Sequence, residues 1–381
     1  MKLINRPIDL AAIKQLIAQF PVTAIIGARQ CGKTTLARLL TYDHYFDLEN
    51  PRDLARLDQP LLALENLSGL IVIDEIQRKP DLFPLIRYLV DRSLPSTEVQ
   101  QKYLILGSAS PQIIKKSAES LAGRIAYYQL TGFRLEDIGR DNLQQLWQRG
   151  GLPRSFLAED DVQSLIWREN YITTFLERDI PQLGFNIGPH TLRRFWTMVS
   201  HLHGQVVNYA ELGRAFGMSD MTVRKYLDIL AGTFMVRILM PWQVNIGKRL
   251  VKRPKIYLRD SGILHALLSI NNHVQLLSHY KLGASWEGFA LEIVCQQPFL
   301  QGQTVYFYQT HAGAELDLFW QSEGKNWGVE FKYQDAPKMT KSIYNVIQDL
   351  ALEHLWIVYP GSEAYQLSDK VSVVPVWKVA Q

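Results

Sequence analysis

Residues 22–36 read VTAIIGARQCGKTTL, and this stretch decides the fold of the first third of the chain. An apolar run over residues 22–26 enters a glycine-rich loop, and the residues from Thr35 onward have a helical composition. The loop matches GxxxxGK[ST] at every fixed position, and a strand before it with a helix after it is the setting of a phosphate-binding loop. We therefore predict a nucleoside triphosphate site here rather than a chance turn.

The residue types of this loop suit a triphosphate. Backbone N–H groups can surround phosphate oxygens only where the chain lacks a Cβ, which Gly27 and Gly32 allow. The start of the following helix adds its positive end, Lys33 adds a mobile cation, and Thr34 offers a hydroxyl to Mg²⁺. The residues predicted to bind ATP are Gly27, Ala28, Arg29, Gln30, Cys31, Gly32, Lys33, Thr34 and Thr35.

Two acidic residues follow the next apolar strand. Residues 70–73 read LIVI and lead directly into Asp74 and Glu75. Consecutive apolar residues predict a strand that is buried on both faces, and ligands of parallel sheets bind at the carboxyl ends of such strands. We predict that Asp74 joins Thr34 in holding Mg²⁺ and that Glu75 polarises the attacking water. Solvated acids at a strand end are the alternative.

Three further residues are candidates for the hydrolysis step. Ser108 follows a third apolar strand, residues 103–106, and could reach the γ-phosphate or the water. Arg124 follows a segment, residues 113–122, that has a helical pattern, and Arg178 closes a later helix. Arginine neutralises the charge of the phosphoryl-transfer transition state, a contribution of about 10³–10⁵ in rate. Either arginine could act in its own chain or in a neighbouring subunit, and a surface ion pair is an equal alternative for both.

In this order and spacing, the motifs GARQCGKTT, LIVIDEIQRKP, YLILGSAS and LAGR resemble those of the AAA+-related predicted ATPases of bacteria and archaea. These proteins carry a C-terminal domain of unknown function, and the resemblance covers nearly the whole chain. It implies a P-loop NTPase fold of the AAA+ (ASCE) type, with a parallel α/β sheet and an extra strand between the two nucleotide-binding strands. One departure is that Ser108 stands where many AAA+ proteins have asparagine.

Length and composition limit the class of protein and the number of domains. With 381 residues, 47% of them hydrophobic and 20% charged, the chain is expected to form a folded protein of several domains. Its two cysteines form no disulfide framework. No apolar run reaches the about 18–20 residues that span a bilayer, and the first residues lack the pattern of a secretory signal. We expect a cytoplasmic protein without a membrane partner. The predicted domains are an ATPase core (1–135), a helical connection (136–189), a winged helix (190–262) and a nuclease-like domain (263–381).

The third region reads as two helices, a capped third helix and a strand pair around a basic loop. Val223, Tyr226, Leu227 and Leu230 recur at helical spacing, and Ser219 precedes them as an N-cap. Residues 205–260 hold ten Lys or Arg against four Asp or Glu, which is typical of a surface that meets a phosphate backbone. DNA is favoured over RNA, and packing on the nucleotide domain to transmit motion is the alternative. The candidate DNA-binding residues are Arg224, Lys225, Lys248, Arg249, Lys252 and Arg253, and Lys255 continues the basic cluster.

The last third places acidic residues and a lysine on neighbouring elements. A helix carries Glu287, a strand carries Asp317, and the next strand carries Glu330 and Lys332, whose alternation puts both on one face. Two carboxylates that bind a metal, with a lysine that positions water, suit phosphodiester cleavage. The set is similar to the core of the PD-(D/E)xK nucleases and implies a restriction-endonuclease-like α/β domain with a second Mg²⁺ or a Mn²⁺. The proline that leads that motif is absent, since Leu316 precedes Asp317.

The whole sequence therefore predicts a protein that binds ATP and hydrolyses it with Mg²⁺. Hydrolysis would be coupled to nucleic-acid binding and, if the last domain is active, to phosphodiester cleavage. The alternative is an ATP-dependent switch whose winged helix and inactive nuclease-like domain only bind partners. A homo-oligomer is left open by the sequence.

Overall fold

The computed structural model describes residues 3–92, 101–110, 121–243 and 247–379. Within these residues lie three β-sheets, of five, three and six strands, which follow one another along the chain. The helix predicted over residues 113–122 falls outside the described ranges except for its last two residues, which lie in a turn.

The first region is an α/β unit. Its elements are α1 (Pro7–Gln19), β1 (Val22–Ile26), α2 (Lys33–Ala37), β2 (His44–Asp47), α3 (Pro51–Arg56), α4 (Pro60–Leu64), β3 (Gly69–Asp74), α5 (Leu82–Arg92), β4 (Gln101–Gly107) and β5 (Ile125–Gln129). The sheet is parallel with the order β2–β3–β4–β1–β5, so the predicted extra strand between the two nucleotide-binding strands is confirmed. Ala24 and Ile25 of β1 enter different cores, as a central strand covered on both faces requires.

Short helices connect this unit to the second sheet. They are α6 (Leu135–Ile138), α7 (Leu143–Arg149), α8 (Pro153–Phe156), α9 (Asp161–Thr174) and α10 (Ile180–Gln182), with a π-helical turn over Phe175–Asp179. Pro181 comes two residues after this turn. A proline ring clashes with the carbonyl four residues earlier in a continuous α-helix, and the wider π turn relieves that conflict.

We call residues 189–258 the middle module. It contains α11 (Pro189–His201), β6 (Gln205–Val206), α12 (Tyr209–Phe216), α13 (Asp220–Gly232), β7 (Val236–Leu239) and β8 (Lys255–Leu258). The Ser219 side chain accepts a hydrogen bond from the Thr222 N–H, so the predicted N-cap of α13 is confirmed. The three strands form an antiparallel sheet in the order β6–β8–β7, and the short strand β6 has no counterpart in the sequence prediction.

We call residues 282–379 the C-terminal domain, which two helices, α14 (Ser261–Leu267) and α15 (His273–Ser278), precede. Its elements are α16 (Leu282–Cys295), β9 (Tyr306–Gln309), β10 (Glu315–Ser322), β11 (Lys325–Phe331), α17 (Lys341–Asp349), β12 (His354–Tyr359), β13 (Tyr365–Ser368) and β14 (Val371–Pro375). The sheet order is β13–β14–β12–β11–β10–β9. β9, β10 and β11 are antiparallel neighbours, whereas β11 and β12 are parallel and are joined through α17.

Residues 240–243 and 247–254, between β7 and β8, lie against the outer edge of β9, and we call them the linking hairpin. The Trp242 N–H donates to the Phe307 carbonyl at 2.6 Å, and the Val251 N–H donates to the Gln309 carbonyl at 2.9 Å. The sequence predicts this segment as a basic loop between two strands. Both of its arms bond to the edge strand of the C-terminal sheet, and a sheet edge covered in this way is protected from other pairing.

No helix in the described part of the chain is long and apolar enough to cross a bilayer.

Candidate functional site

The glycine-rich loop takes a conformation that its glycines make possible. A Cβ on Gly27 would overlap the carbonyl oxygen of Leu130, and Gly32 has φ 106°, in the region that favours glycine. Gln30 also has a positive φ, of 59°. The loop therefore curls tightly at the carboxyl end of β1, where the short helix α2 begins at Lys33.

Lys33 and Thr34 open α2, and their side chains point to the loop and to β3. The Lys33 ammonium is buried and donates to the carbonyl oxygens of Gly27 at 3.0 Å and Ala28 at 2.9 Å. The Thr34 hydroxyl donates to Asp74 Oδ2 at 2.7 Å. Asp74 thus lies beside the threonine with which it was predicted to share Mg²⁺, and hydroxyl and carboxylate oxygens are donors that this ion prefers. These residues fit a magnesium ion bound together with a triphosphate.

Glu75 lies at the end of β3 in a small polar cluster. Its φ of 57° is unusual for a residue other than glycine and is found at functional sites. The Gln77 amide donates to the Glu75 carboxylate and to Ser108 Oγ, the second bond at 2.9 Å, and the Ser108 hydroxyl lies 3.5 Å from Glu75 Oε2. The structure thereby brings the two predicted catalytic residues, Glu75 and Ser108, next to each other.

A cleft of about 450 Å³ opens beside the loop. Its polar wall includes Lys33, Thr34 and Glu75, and its apolar wall includes Phe133 and Leu157. This size is that of a small-molecule site with apolar walls and few polar groups. Its volume and its lining fit a ligand with both a polar and an apolar part.

The two candidate arginines lie in different places. Arg178, in the π-helical turn, donates to Glu49 Oε1 at 2.9 Å, and Glu49 lines the cleft. Arg124 precedes β5, where its carbonyl accepts from the Val22 N–H at the start of β1, and its guanidinium pairs with Asp91 at 2.5 Å. Because parallel strands place their starts at the edge opposite the loop, Arg124 cannot act on the ATP of its own chain in this arrangement. A role in a neighbouring subunit stays a prediction.

Hydrogen bonds and an ion pair connect the glycine-rich loop and the end of β4 to helices that come later in the chain. The Tyr171 hydroxyl of α9 donates to the Arg29 carbonyl at 3.3 Å, and the Arg29 guanidinium pairs with Asp179 of the π-helical turn. The Ser110 N–H, two residues beyond Ser108, donates to the Gly232 carbonyl at 2.8 Å. The end of α13 is thus bonded to the segment that leaves the hydrolysis cluster.

A second polar cluster lies in the C-terminal domain and contains the four predicted nuclease residues. The Lys332 ammonium donates to Glu330 Oε1 at 2.6 Å, and the backbone N–H of Phe331 donates to Asp317 Oδ2 at 3.0 Å. Glu287 of α16 accepts from the Tyr257 hydroxyl at 2.5 Å. Glu315 also faces the cluster, and we call Glu287, Glu315, Asp317 and Glu330 the acidic site.

The centre of the acidic site holds a lysine from the middle module. Lys255 of β8 is 2% exposed, and its ammonium lies 3.0 Å from Asp317 Oδ1, 2.5 Å from Glu315 Oε1 and 3.5 Å from Glu287 Oε1. Its expected place in the exposed basic cluster is therefore wrong. Among the described residues, no group of three or more His, Cys, Asp or Glu side chains is arranged to hold a metal ion.

Burial changes the proton affinities of the acidic site. Burial, together with the charge of Asp317, raises the pKa of Glu287 to about 7 and that of Glu330 to about 8. Burial alone would lower the pKa of Lys255, but the charges of Asp317 and Glu287 outweigh it, so the pKa lies well above its ordinary value. Lys255 is consequently an ammonium ion at neutral pH.

The basic excess of residues 205–260 is partly neutralised inside the protein. Arg237 and Arg259 both pair with Glu292 of α16, at 2.5 and 3.2 Å, and Lys248 pairs with Asp349 at 2.5 Å. With Lys255, four of the ten cations thus meet carboxylates of the C-terminal domain. The candidate DNA-binding residues that are exposed are Arg224, Lys225, Lys248, Arg249, Lys252 and Arg253.

Sequence reasoning did not find Tyr45, Glu315 or Tyr257 as site residues. The Tyr45 hydroxyl donates to Asp74 Oδ2 at 2.7 Å beside Thr34. No local pattern marks these residues. A signal did exist for Lys255, because it opens the otherwise apolar strand KIYL, where a buried charge requires a partner.

Comparison with known proteins places this geometry in a family. Residues 19–139 match the model of an AAA domain, and residues 140–274 and 282–379 match two domains of unknown function, DUF8612 and DUF4143. Over 376 residues the chain is 46% identical to the uncharacterized proteins Mb2031c of Mycobacterium bovis and Rv2008c of Mycobacterium tuberculosis, which covers 98% of this chain and 84% of each relative. The chain belongs to their family. Its first region is the AAA domain, and its phosphate-binding loop is that of an ATPase.

Solved structures are similar to the chain only distantly. The Walker-type ATPase PABY2304 of Pyrococcus abyssi is 14% identical, with a TM-score of 0.45 over 70% of this chain and 96% of that one. The Aeropyrum pernix ORC1 protein in complex with DNA is 13% identical, with a TM-score of 0.31 over 70% of this chain and 93% of that one. Both TM-scores lie below 0.5, so these similarities define neither a substrate nor a partner.

The loop geometry predicts the effect of removing its lysine. The Lys33→Ala variant should bind ATP at least about tenfold more weakly, since a hydrogen bond to a charged group contributes about 1.5–3 kcal/mol. Binding of a fluorescent ATP analogue by the full chain measures this. Lys14→Ala, which removes an exposed lysine of α1, should leave the affinity unchanged. Equal affinities of Lys33→Ala and wild type would contradict the assignment of the loop.

Proposed function

We propose that the protein is a Mg²⁺-dependent ATPase whose nucleotide state controls an apparatus for binding nucleic acid, built from the middle module and the C-terminal domain. The observation that carries the ATPase half is the meeting of the glycine-rich loop, the Thr34–Asp74 pair and Glu75 at one cleft.

Each residue at the cleft has a distinct role in this proposal. Lys33, which is held by loop carbonyls in the nucleotide-free chain, turns to the β and γ phosphate oxygens. Thr34 and Asp74 hold Mg²⁺, which when bound neutralises charge on those oxygens. Glu75 polarises the attacking water, and Ser108 orients the Glu75 carboxylate through Gln77.

Arg178 is the arginine that we assign to the transition state in the same chain. It shares Glu49 with Arg29 and Arg78, whose nitrogens lie 3.4 and 3.8 Å from Glu49 Oε1. Three arginines thus converge on one carboxylate near Glu75, and Arg29 also pairs with Asp179. A phosphate there would compete with Glu49 for these arginines.

Changing Glu75 tests hydrolysis separately from binding. Glu75→Gln should bind ATP normally but release phosphate at least about 100-fold more slowly, which is the usual contribution of a positioned general base. A phosphate-release assay at saturating ATP and Mg²⁺ measures this, with the exposed Glu159→Gln as the matched control. If Glu75→Gln turns over ATP at the wild-type rate, another group activates the water.

The positions of the two arginines predict opposite effects. Arg178→Ala should lower turnover by at least tenfold at every protein concentration, a small part of the about 10³–10⁵ that such an arginine can contribute. Arg124→Ala should leave the turnover of dilute protein unchanged, because Arg124 lies at the opposite edge of the sheet. An equal loss in both variants, at low protein concentration, would contradict this assignment.

The order of elements supports a winged helix in the middle module. α11, β6, α12, α13 and the β7–β8 pair follow the sequence helix, short strand, two helices and hairpin. In such modules the last of the three helices enters the major groove. Arg224 and Lys225 lie on the exposed face of α13, and Arg224 stacks on Tyr209 at 4.7 Å. These positions favour contact with DNA.

The topology of the C-terminal domain supports its relation to the PD-(D/E)xK nucleases. The order α16, β9, β10, β11, α17, β12 is that of their αβββαβ core, with Glu287 on the helix, Asp317 on the second strand and Glu330 on the third. A second candidate function, an ATP-dependent switch without cleavage, is favoured by one observation. The Lys255 ammonium fills the acidic site in which a catalytic metal would bind.

Nucleic-acid binding is tested by the salt dependence of affinity. Replacing Arg249, Lys252 and Arg253 with alanine should weaken binding to a 20-base-pair duplex and reduce the slope of log K against log salt, by about 0.9 for each phosphate that the variant no longer neutralises. The matched control is Lys248→Ala, since this lysine of the same hairpin already pairs with Asp349. An unchanged slope in the triple variant would assign the hairpin to protein contacts, and the same titration with RNA tests the preference for DNA.

A further inference from the structure

The lysine in the acidic site comes from another part of the fold. β8 belongs to the three-stranded sheet of the middle module, whereas the carboxylates belong to α16 and β10 of the C-terminal domain. Lys255 and Tyr257 are two residues apart on β8, so both side chains leave the strand on the same face. Both reach the acidic site, where the Tyr257 hydroxyl donates to Glu287 and the Lys255 ammonium lies between three carboxylates.

Three carboxylates surround the ammonium, in an arrangement that the lysine itself occupies. Carboxylate oxygens of Glu287, Glu315 and Asp317 surround it within 3.5 Å, and the side chain of Lys255 is 3% exposed. Mg²⁺ and Mn²⁺ take the same oxygen donors. Glu330 adds an independent observation, because its Oε2 is buried and has no hydrogen-bond partner among the described residues. A buried carboxylate oxygen without a donor indicates capacity for a further cationic ligand.

The position of Lys255 is fixed on both sides. The arms of the linking hairpin bond to β9 through Trp242 and Val251, and the Lys255 ammonium lies 5.5 Å from the centre of the Phe307 ring of β9. On the other side, a Cβ on Gly288 of α16 would overlap His203, whose Nδ1 accepts from the Leu258 N–H at 2.9 Å. The strand that carries Lys255 is therefore held between α16 and β9.

We propose that Lys255 occupies the divalent-cation position of the acidic site, so that the site accepts Mg²⁺ or Mn²⁺ only when the lysine is removed or withdrawn with β8. This inference rests on the proposed relation of the C-terminal domain to metal-dependent nucleases and is independent of the ATPase proposal. It makes the nuclease-like domain a latent metal site that the middle module keeps closed. The alternative is that Lys255 only joins the two domains through ion pairs. In that case its removal would not create a metal site.

The test is a Mn²⁺ titration of the full chain, read by the electron paramagnetic resonance signal of free Mn²⁺. Every protein carries Asp74→Asn, which removes the metal ligand at the phosphate-binding loop. In that background Lys255→Met should bind one additional ion at least about tenfold more tightly than the parent, because a charge of +1 no longer opposes the metal. Adding Asp317→Asn to Lys255→Met should abolish this ion, which assigns it to the acidic site.

Two outcomes of the titration would overturn the proposal. If Lys255→Met binds no additional ion, the carboxylates are no latent metal site, and the nuclease relation loses its support as well. If the parent already binds the ion as tightly as Lys255→Met and loses it with Asp317→Asn, the nuclease relation stands but the lysine does not block the site. Lys255→Gln, of similar length and neutral, gives the same comparison if the methionine variant does not fold.

A measurement on the unmodified protein does not depend on the folding of any variant. An amine-reactive reagent followed by peptide mass spectrometry should label Lys255 at least about 100-fold more slowly than the exposed Lys252 three residues earlier. Millimolar Mn²⁺ should not change the ratio of the two rates. Labelling of Lys255 at the rate of Lys252, or its release by Mn²⁺ alone, would show that the ammonium does not close the site.

Discussion

The cations on β7 and β8, together with Arg259 directly after β8, depend on carboxylates that another domain supplies. Arg237 and Arg259 share Glu292, and Lys255 lies among Glu287, Glu315 and Asp317. An isolated charge transferred from water to a protein interior costs several kcal/mol, and removing one partner of a buried pair is strongly destabilising. The three-stranded sheet could not bury these side chains without α16 and β10. The boundary predicted near residue 262 therefore separates two parts of the sequence but not two independent units of folding.

The elements predicted correctly are those that local chemistry determines. The GxxxxGK[ST] loop, the apolar strand before Asp74 and the Ser219 cap are each readable within about ten residues, and the structure has each of them at the predicted place. Long-range pairing had no such signature. Arg124 lies at the wrong edge of the sheet for its own ATP because strand direction determines its position. The linking hairpin pairs with β9 through backbone groups, which every residue type carries.

The residues of the candidate sites also divide into those that local sequence predicts and those that only long-range packing brings into place. Asp74, Glu75 and Ser108 could be predicted because strands of one parallel sheet end at a common edge, so residues that follow those strands come together. The residues of the acidic site could be listed as well, but the cation in its centre could not. Lys255 reads as one more charge of a basic hairpin, and only the pairing of β8 with β6 and β7, and the packing of that sheet on α16, turns it inward.

A lysine in the acidic site also makes folding independent of the concentration of a metal ion. Carboxylates that lie close together repel one another, and a site of this kind that waits for Mg²⁺ would couple folding to the concentration of the ion. The chain instead supplies the cation from its own β8, so the two domains can assemble without metal. The same arrangement places the ammonium on the module whose helix α13 is bonded, through Gly232, to the segment after Ser108. The ATP domain and the acidic site thus both contact the middle module.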